Sequence, residues 1–375
     1  MLQKLMKKKL RGGMSRHLRP MPEEQSDPET FVVPSPDGDS EAGVGGTPGN
    51  HEEMELQCSH AAPLLMAGPT NSCAGCAPMI EETPAMNQHA DVFAHLTSAS
   101  YQGKEGRASD LEHVLERARN AGVSHIINGC EDLQHTLNLL KMSRGAEGVY
   151  CAISLDPGVF REKGTRALYL TEVRRLAKKY RGVVVGVTLT GFKNYKAPSF
   201  VRRLERALGV AVDQQLPLFL KWKKKVSKLV LNFKELLQLL PTIIIYSFEG
   251  SKQDAQTLLD NGFYIGISCR SVMVPHTFEA LASLPMNQVL VHSGEPEFNY
   301  LNDHPLASTT FPAAPRNTWR TGLMLEGRGE PACVAQAVEV VAATRGEDVA
   351  EVAAQLWKNA CEVFFPHEDV CGGVY

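Results

Sequence analysis

Residues 216–225 read LPLFLKWKKK, and they join an apolar segment directly to a cluster of positive charge. Pro217 suits the first position of a strand, and Leu218 to Leu220 can pack against both faces of a parallel sheet. Four lysines then surround Trp222. The stretch therefore predicts a buried parallel strand that is followed by several lysines at one edge of a sheet.

Seven further apolar runs share this character, and amphipathic helical patterns alternate with them. In residues 169–180, Leu170, Val173 and Leu176 recur at a helical period among basic residues. Eight strands alternating with helices predict a TIM-type (β/α)8 barrel, in the α/β class. An open doubly wound sheet is the alternative, but no Gly-x-Gly-x-x-Gly follows the first strand. The predicted strands are 89–96, 123–130, 149–155, 183–189, 216–222, 242–248, 263–269 and 287–293, and the predicted helices include 110–121, 169–180, 200–214, 253–260, 331–344 and 348–364.

Composition leaves the class of partner open. The chain has 375 residues, a net charge of -3 and a pI near 6.5, so charge alone does not indicate nucleic acid. No apolar run reaches the roughly 18–20 residues that span a bilayer, so no membrane span is expected. Cys130, Cys151 and Cys269 lie inside predicted strands, which favours reduced thiols and a reducing compartment.

Residues 1–88 show no pattern typical of a folded domain. Residues 1–20 carry seven lysines and arginines and no acid, which is typical of a mitochondrial transit segment, with a solvated basic tail as the alternative. We therefore expect a mitochondrial protein, or alternatively a cytoplasmic one. Residues 21–88 are rich in Pro, Gly, Ser and acidic residues, so we expect a disordered arm before a barrel at 89–366 and a tail at 367–375.

One cluster in the N-terminal arm has metal-ligand spacing. Cys58 and His60 are followed twelve residues later by Cys73 and Cys76, and such a set can hold a tetrahedral zinc. No apolar pattern surrounds these residues, so unliganded thiols in an unfolded arm are the preferred interpretation.

The predicted strand ends carry a resemblance to a known family. Residues 91–97, DVFAHLT, resemble the opening Asp-x-His-x-His-Leu of the TatD family of metal-dependent deoxyribonucleases. Further similar segments are YSFEGS at 246–251, GFYIGI at 262–267, RGEP at 328–331 and EVFFP at 362–366. The resemblance covers residues 90–366 and implies a barrel with its chemistry at the C-terminal ends of the strands.

The same resemblance implies a two-metal site that this chain does not preserve. Two-metal hydrolysis needs carboxylates and imidazoles that hold two cations about 3.5–4 Å apart. His95 keeps its type, but Lys221 places an ammonium where a metal cation would be bound. We therefore expect no catalytic residues and no divalent cation at the mouth. The degenerate positions are Phe93, Lys221 and Tyr246 for three histidines, Val187 for a bridging Glu and Gly294 for an Asp, with Lys223 for an Arg beside them.

Polar residues that remain at the predicted mouth leave three hypotheses open. His95, Asp156 and His292 would be a mononuclear metal set, although histidines bonded to backbone or water are commoner. Lys221 would form a Schiff base only as a desolvated amine, which its neighbouring lysines disfavour. Alternatively, a basic rim would bind phosphates or an acidic protein surface, or would simply be solvated. The predicted rim residues are Lys221, Lys223, Lys224, Lys225 and Arg328.

The long segment 294–329 follows the last strand and contains several aromatic residues. A loop of this length predicts a lid or docking surface over the mouth, or else a locally packed loop.

Together these observations predict a catalytically inactive TatD-like pseudoenzyme that serves as a binding or scaffolding component of a mitochondrial assembly. The alternatives are a TatD-type metal-dependent deoxyribonuclease and a non-catalytic nucleic-acid binder that uses the basic rim. Protein partners are expected, nucleic acid is a possible partner, and no cofactor is expected.

Overall fold

The computed structural model describes residues 87–102, 109–130, 132–155, 165–189, 208–223, 237–296 and 301–366, apart from 316, 317, 319 and 321. The chain divides into two compact units, residues 1–78 and 79–375, and every described residue belongs to the second. Several predicted features lie outside the described residues: the transit segment, the Cys58, His60, Cys73 and Cys76 set, and the side chains of Asp156, Lys224 and Lys225.

Eight parallel strands pair in chain order from first to last, so the barrel prediction is confirmed. The seam between the last and first strands is held by Ser293, whose backbone N–H and Oγ donate to the Asp91 carboxylate at 3.0 and 2.5 Å. The strands are β1 (His89–Ala94), β2 (Val123–Gly129), β3 (Val149–Ser154), β4 (Val184–Leu189), β5 (Leu218–Lys221), β6 (Ile243–Tyr246), β7 (Tyr264–Ser268) and β8 (Val289–His292).

Helices occupy most of the connections between strands, and all six predicted helices are present in the described residues. Residues 208–214 are helical as part of the predicted 200–214. The labelled helices are α1 (Leu111–Asn120), α2 (Leu133–Met142), α3 (Thr165–Lys179), α4 (Lys252–Leu259), α5 (Pro275–Leu281), α6 (Cys333–Arg345) and α7 (Val349–Phe364). None of the described helices is long and apolar enough to cross a membrane.

Local capping explains where several helices begin. The Ser251 Oγ accepts from the Asp254 backbone N–H at 3.2 Å, and the Asp254 carboxylate accepts from the Ser251 N–H at 3.1 Å. This reciprocal pair satisfies two orphan donors at the start of α4. Asp132 caps α2 in the same sense, by accepting from the His135 N–H at 2.8 Å. The Asp132 cap is a local sequence signal for α2, a helix that the apolar periodicity did not predict.

The apolar core has an outer layer between strands and helices and an inner layer inside the barrel. The inner layer is closed at the end opposite the mouth by α7, where the Phe364 ring stacks on Phe219 with centroids 5.6 Å apart. Burying an aromatic side chain of this size stabilises a fold by about 1.5–3 kcal/mol. The barrel interior is therefore a packed core that the described residues close at the end opposite the mouth.

In the described part of segment 294–329, Glu295 lies at the mouth, while residues 308 and 309 pack along α6. Glu339 of α6 accepts from the backbone N–H groups of Ser308 and Thr309 at 2.8 and 2.9 Å. Thr309 and Glu339 also line a cavity of about 260 Å³ with His89, the first residue of β1 and therefore at the end opposite the mouth. For residues 308 and 309 these contacts agree with the alternative of a locally packed loop, whereas residues 297–300 lie outside the described part of the chain.

Candidate site at the barrel mouth

Strand ends bring together residues that are distant in sequence. In the pairing of β5 with β6, Lys221 lies opposite Tyr246, and in that of β7 with β8, Ser268 lies opposite His292. His95 follows β1 at the same end. The sequence prediction that these residues share one face of the barrel agrees with these positions.

An aromatic stack fills the interior directly beneath the mouth. The Phe93 ring stacks on Tyr246 with centroids 3.9 Å apart and planes at 21°, and its centroid lies 5.1 Å from that of Phe219. The edges of His95 and His292 approach Phe93, with ring centroids at 5.4 and 6.1 Å. Phe93 is 2% exposed. Two of the predicted degenerate positions, Phe93 and Tyr246, are thus in contact at the centre of the site.

Glycines on neighbouring strands make room for these rings. A Cβ at Gly129 would lie 2.2 Å from Cζ of Phe93, and one at Gly186 would lie 2.8 Å from Cε2 of Phe219. Contacts below 3.0 Å of this kind do not occur between real side chains, so any residue other than glycine would displace the rings. The barrel wall is consequently shaped around the aromatic residues.

The side chain of Val187 does not face the mouth. Its strand neighbours in register, Ile153 and Leu218, pack with it in the outer layer beneath the helices. An irregularity in the β3–β4 pairing, between Cys151 and Ala152, sets this register. The inward residue beside Val187 is Thr188, which is buried. The local register therefore turns the Val187 side chain away from the mouth, and its assignment to the position of the bridging Glu stays a prediction.

His292 is buried and has one ring nitrogen engaged by the backbone. Its Nε2 accepts a hydrogen bond from the Ser247 backbone N–H at 2.9 Å, so the ring proton of the neutral form lies on Nδ1. Burial, together with the nearby His95 and Lys221, lowers the pKa of His292 to about 3, against hydrogen bonding with the backbone of Phe93 and Gly266. The side chain is therefore neutral at neutral pH.

His95 also stays neutral. Burial lowers its pKa to about 4, while Glu295 opposes the shift and Lys221 reinforces it. Burial raises the pKa of Asp91, on β1, to about 6, against the hydrogen bonds from Ser293 and Phe93, which lower it. In all three groups, burial shifts the pKa toward the neutral form of the side chain.

Two ion pairs cross a pocket beside the stack. The Lys221 ammonium donates to Glu295, and the Arg270 Nε donates to Glu249 at 2.8 Å. The pocket has a volume of about 280 Å³. Because Lys221 is paired with a carboxylate, it is not the isolated desolvated amine that a Schiff base needs. The pocket is lined by Lys221, Trp222, Ser247, Glu249, Ser268, Arg270, Ser293 and Glu295.

The mouth residues do not fit a pair of divalent cations. Among the described residues, no three His, Cys, Asp or Glu side chains are grouped closely enough to hold a metal. The Asp91 carboxylate already accepts hydrogen bonds from Ser293 and from the Phe93 N–H. His292 Nε2 already accepts a hydrogen bond from the Ser247 N–H. The aromatic stack offers no carboxylate or imidazole in their place. Gly294, at another predicted ligand position, supplies no side-chain atom.

Arg328 lies in a buried charge network instead of at the rim. Its guanidinium donates to both oxygens of Asp110 at 3.0 and 2.5 Å and to Glu330 at 2.7 Å. Arg117 donates to the same Glu330 at 2.8 Å. A guanidinium that is 5% exposed and shared between two carboxylates has little capacity left for a phosphate. The predicted role of Arg328 in binding phosphate does not agree with these contacts.

The described part of the rim is less basic than the sequence indicates. Lys221 is neutralised by Glu295, and Lys223 is exposed. Sequence reasoning missed the pairing of Lys221 with Glu295 and of Arg270 with Glu249. No local sequence signal specifies such pairs, because their partners come from different strands.

Comparisons with known proteins agree with the motif resemblance. Residues 90–365 match the family model described as TatD related DNase. The chain is 24% identical over 277 residues to a Schizosaccharomyces pombe protein named deoxyribonuclease Tat-D, covering 69% of this chain and 89% of that one. It is 26% identical over 279 residues to a Salmonella typhimurium protein named 3'-5' ssDNA/RNA exonuclease TatD, covering 73% and 98%.

Solved structures show the same fold. A TatD family hydrolase from Entamoeba histolytica superposes with a TM-score of 0.63 at 20% identity, covering 75% of this chain and 99% of that one. An uncharacterized amidohydrolase from Saccharomyces cerevisiae superposes with a TM-score of 0.61 at 18% identity, covering 74% and 99%. Similarity at these identities extends to the barrel and not to its chemistry.

Proposed function

Because this chain belongs to the TatD-related DNase family, we propose that it is a family member whose barrel binds a ligand or partner without hydrolysing phosphodiesters. The observation that supports this proposal is the Phe93–Tyr246 stack at the centre of the mouth. Both residues stand where the resemblance calls for histidine ligands.

The physical reason is that two-metal hydrolysis depends on a set of donors that is missing among the described residues of this mouth. The cations must stabilise the attacking and leaving oxygens together, which requires a fixed set of carboxylates and imidazoles. Packed aromatic rings occupy the volume and supply no such donor. The Lys221 ammonium faces the same space and would repel a dication.

Metal analysis and a cleavage assay test the proposal together. The full chain would be purified, its Zn, Mn, Mg and Fe content measured, and a 5'-labelled single-stranded DNA incubated with it, with and without EDTA. We expect substoichiometric metal and no EDTA-sensitive cleavage. The Salmonella typhimurium exonuclease TatD serves as the positive control for substrate and buffer.

Stoichiometric metal together with EDTA-sensitive cleavage would overturn the proposal. A His95→Ala variant separates intrinsic cleavage from a contaminating nuclease, because His95 is the retained residue of the predicted ligand set. Cleavage that this substitution abolishes is intrinsic, whereas cleavage that persists comes from a contaminant and leaves the expected result standing.

A metal-dependent nuclease is the second candidate, and the comparisons favour it. Two similar proteins are named as a deoxyribonuclease and as an exonuclease. For this chain to act in that way, cations would have to bind through donors other than the degenerate positions. The same metal and cleavage measurements decide between the two candidates.

The identity of a partner and the cellular location are further proposals from the sequence. We infer a mitochondrial location from the basic, acid-poor residues 1–20, with the cytoplasm as the alternative. Fluorescence imaging of the full chain and of a chain that starts after residue 20 would test this. Protein partners would be identified by purification from cross-linked cells, and nucleic-acid binding by the salt dependence of affinity for DNA.

A further inference from the structure

The pocket at the mouth has equal numbers of positive and negative side chains. Lys221 and Arg270 face Glu249 and Glu295 across it, and the other lining residues are three serines and Trp222. Burial raises the pKa of Glu295, but the hydrogen bond and charge of Lys221 bring it below its usual value, so the pair is ionised. The lining is therefore charge-neutral, although the sequence around Lys221 is strongly basic.

A charge-neutral lining does not favour a simple anion. A phosphate would reach Lys221 or Arg270 only by displacing a carboxylate that stays nearby and repels it. A molecule with one positive and one negative group meets no such opposition, since each group can replace one member of an ion pair. The existing pairs are weak competitors, because ion pairs this exposed contribute about 0–1 kcal/mol each.

The four charged side chains are exposed enough for a ligand to replace one member of each ion pair. The side chains of Lys221 and Glu295 are 36% and 39% exposed, and those of Arg270 and Glu249 are 50% and 31% exposed. All four are thus within reach of a ligand in the pocket. They come from the ends of four consecutive strands, β5 to β8, so positive and negative charges alternate from one strand to the next.

Ser247 lines the same pocket and has a strained backbone conformation. Its φ of 51° lies in the left-handed region, which is uncommon for serine. Such a conformation costs on the order of 1–3 kcal/mol and recurs at ligand-binding positions. It directs the Ser247 N–H onto His292, while within the described part of the chain its hydroxyl makes no hydrogen bond. That hydroxyl is available to a ligand.

Trp222 supplies the apolar wall. Its ring packs on Phe248 with centroids 4.8 Å apart, and a Cβ at Gly250 would lie 2.7 Å from Trp222 Cζ2, so the indole is fixed in place. The cavity of about 280 Å³ is slightly smaller than the usual range for small-molecule sites, about 300–1,000 Å³. A ligand here is small and presents an apolar portion to the indole.

We propose that this pocket binds a free α-amino acid with an apolar side chain, whose carboxylate and ammonium exchange with the two ion pairs. This inference rests on the proposed binding function and specifies its ligand. The carboxylate pairs with Lys221 or Arg270, the ammonium pairs with Glu295 or Glu249, and the side chain lies against Trp222. No bond is made or broken.

Isothermal titration calorimetry of the full-length protein tests the proposal without any variant. L-leucine and L-phenylalanine are the zwitterionic probes. N-acetyl-L-leucine carries only the negative group, L-leucinamide only the positive one, and inorganic phosphate and a thymidine dinucleotide represent phosphate ligands. We expect saturable binding of at least one amino acid at one site, with single-charge analogues and phosphates about tenfold weaker or more.

Substitutions locate the site. Glu295→Gln and Arg270→Gln are each expected to weaken amino-acid binding about tenfold or more, because each removes one charge partner. Glu362→Gln, on the outer surface of α7, is the matched control and leaves affinity unchanged. Equal affinity for phosphate or for N-acetyl-L-leucine would overturn the proposal, as would an unaltered affinity in both pocket variants or no saturable binding of either amino acid. The cleavage assay is separate, so failure here is distinguishable from failure of the proposed function.

Discussion

The Phe93 ring stacks on the Tyr246 ring across the top of the barrel, with centroids 3.9 Å apart and planes inclined by 21°. The two residues lie on β1 and β6, 153 positions apart in the sequence. Gly129 leaves the space that the Phe93 ring fills. A packed aromatic core therefore extends up to the level where the family resemblance places metal ligands.

Removing this ring should destabilise the fold. For Phe93→Ala we expect the free energy of unfolding to fall by about 3–5 kcal/mol, because a large buried ring leaves a cavity that rigid strands cannot close. Urea denaturation followed by circular dichroism measures the loss. Leu168→Ala is the control, since that side chain is 70% exposed, and we expect a change within about 0.5 kcal/mol. A loss below about 1 kcal/mol in Phe93→Ala would contradict the packing described for the stack.

Restoring a carboxylate at position 187 should give a less stable protein without activity. Val187 packs in the outer apolar layer, so the new carboxylate of Val187→Glu would be buried away from the mouth. We expect a loss on the order of 3–5 kcal/mol, typical of an uncompensated buried charge. Val187→Ala is the control for lost volume alone. Denaturation and the single-strand cleavage assay measure the two effects, and EDTA-sensitive turnover in Val187→Glu would refute the outward orientation.

The buried charge network should be more important for stability than any surface ion pair. Arg328→Met leaves Asp110 and Glu330 with one guanidinium fewer, and we expect a loss of about 3–5 kcal/mol. Lys358→Met removes an exposed pair with Glu362 and should cost less than about 1 kcal/mol. Thermal or urea unfolding of the two variants gives the comparison. Equal losses in both would show that Arg328 is not part of a buried network.

Acid should destabilise the protein as pH falls from 6.5 toward 4. Burial lowers the pKa of His89 from 6.5 to about 4 and that of His292 to about 3. In this window the unfolded histidines bind protons that the folded ones do not, so stability is lost on acidification, by up to about 1.4 kcal/mol per pH unit for each. Asp91 acts in the opposite direction, because burial raises its pKa in the folded state to about 6. Between about pH 6 and 4 the folded state binds this proton and the unfolded state does not, so this group adds stability on acidification.

Unfolding free energies measured in urea at several values between pH 4 and 7.5 test this balance. His292→Gln should make the dependence on pH shallower, and Asp91→Asn should make it steeper, because it removes the opposing carboxyl group. His113→Gln on α1 is a surface control. A slope that is unchanged in His292→Gln would mean that this imidazole is not buried in its neutral form.

The sequence predicted the barrel because its evidence is local and repeated. Each strand is a short apolar run such as Leu218 to Leu220, and each helix has its own period or cap, so the alternation can be counted without knowing any contact. Most strand ends agree within one or two residues. The start of β5 is later than predicted, since the Leu216 N–H still bonds to the Ala211 carbonyl of the preceding helix.

The loss of ligand-type residues at Phe93, Tyr246 and Gly294 is likewise a property of the sequence alone, because it depends only on residue type at a motif position. The tertiary structure decided what replaced them. A register irregularity beside Ala152 turned Val187 outward, the distant Glu295 neutralised Lys221, and the distant Asp110 enclosed Arg328 together with the local Glu330. Strand register and charge pairing depend on residues tens to hundreds of positions away, so no local pattern contains them.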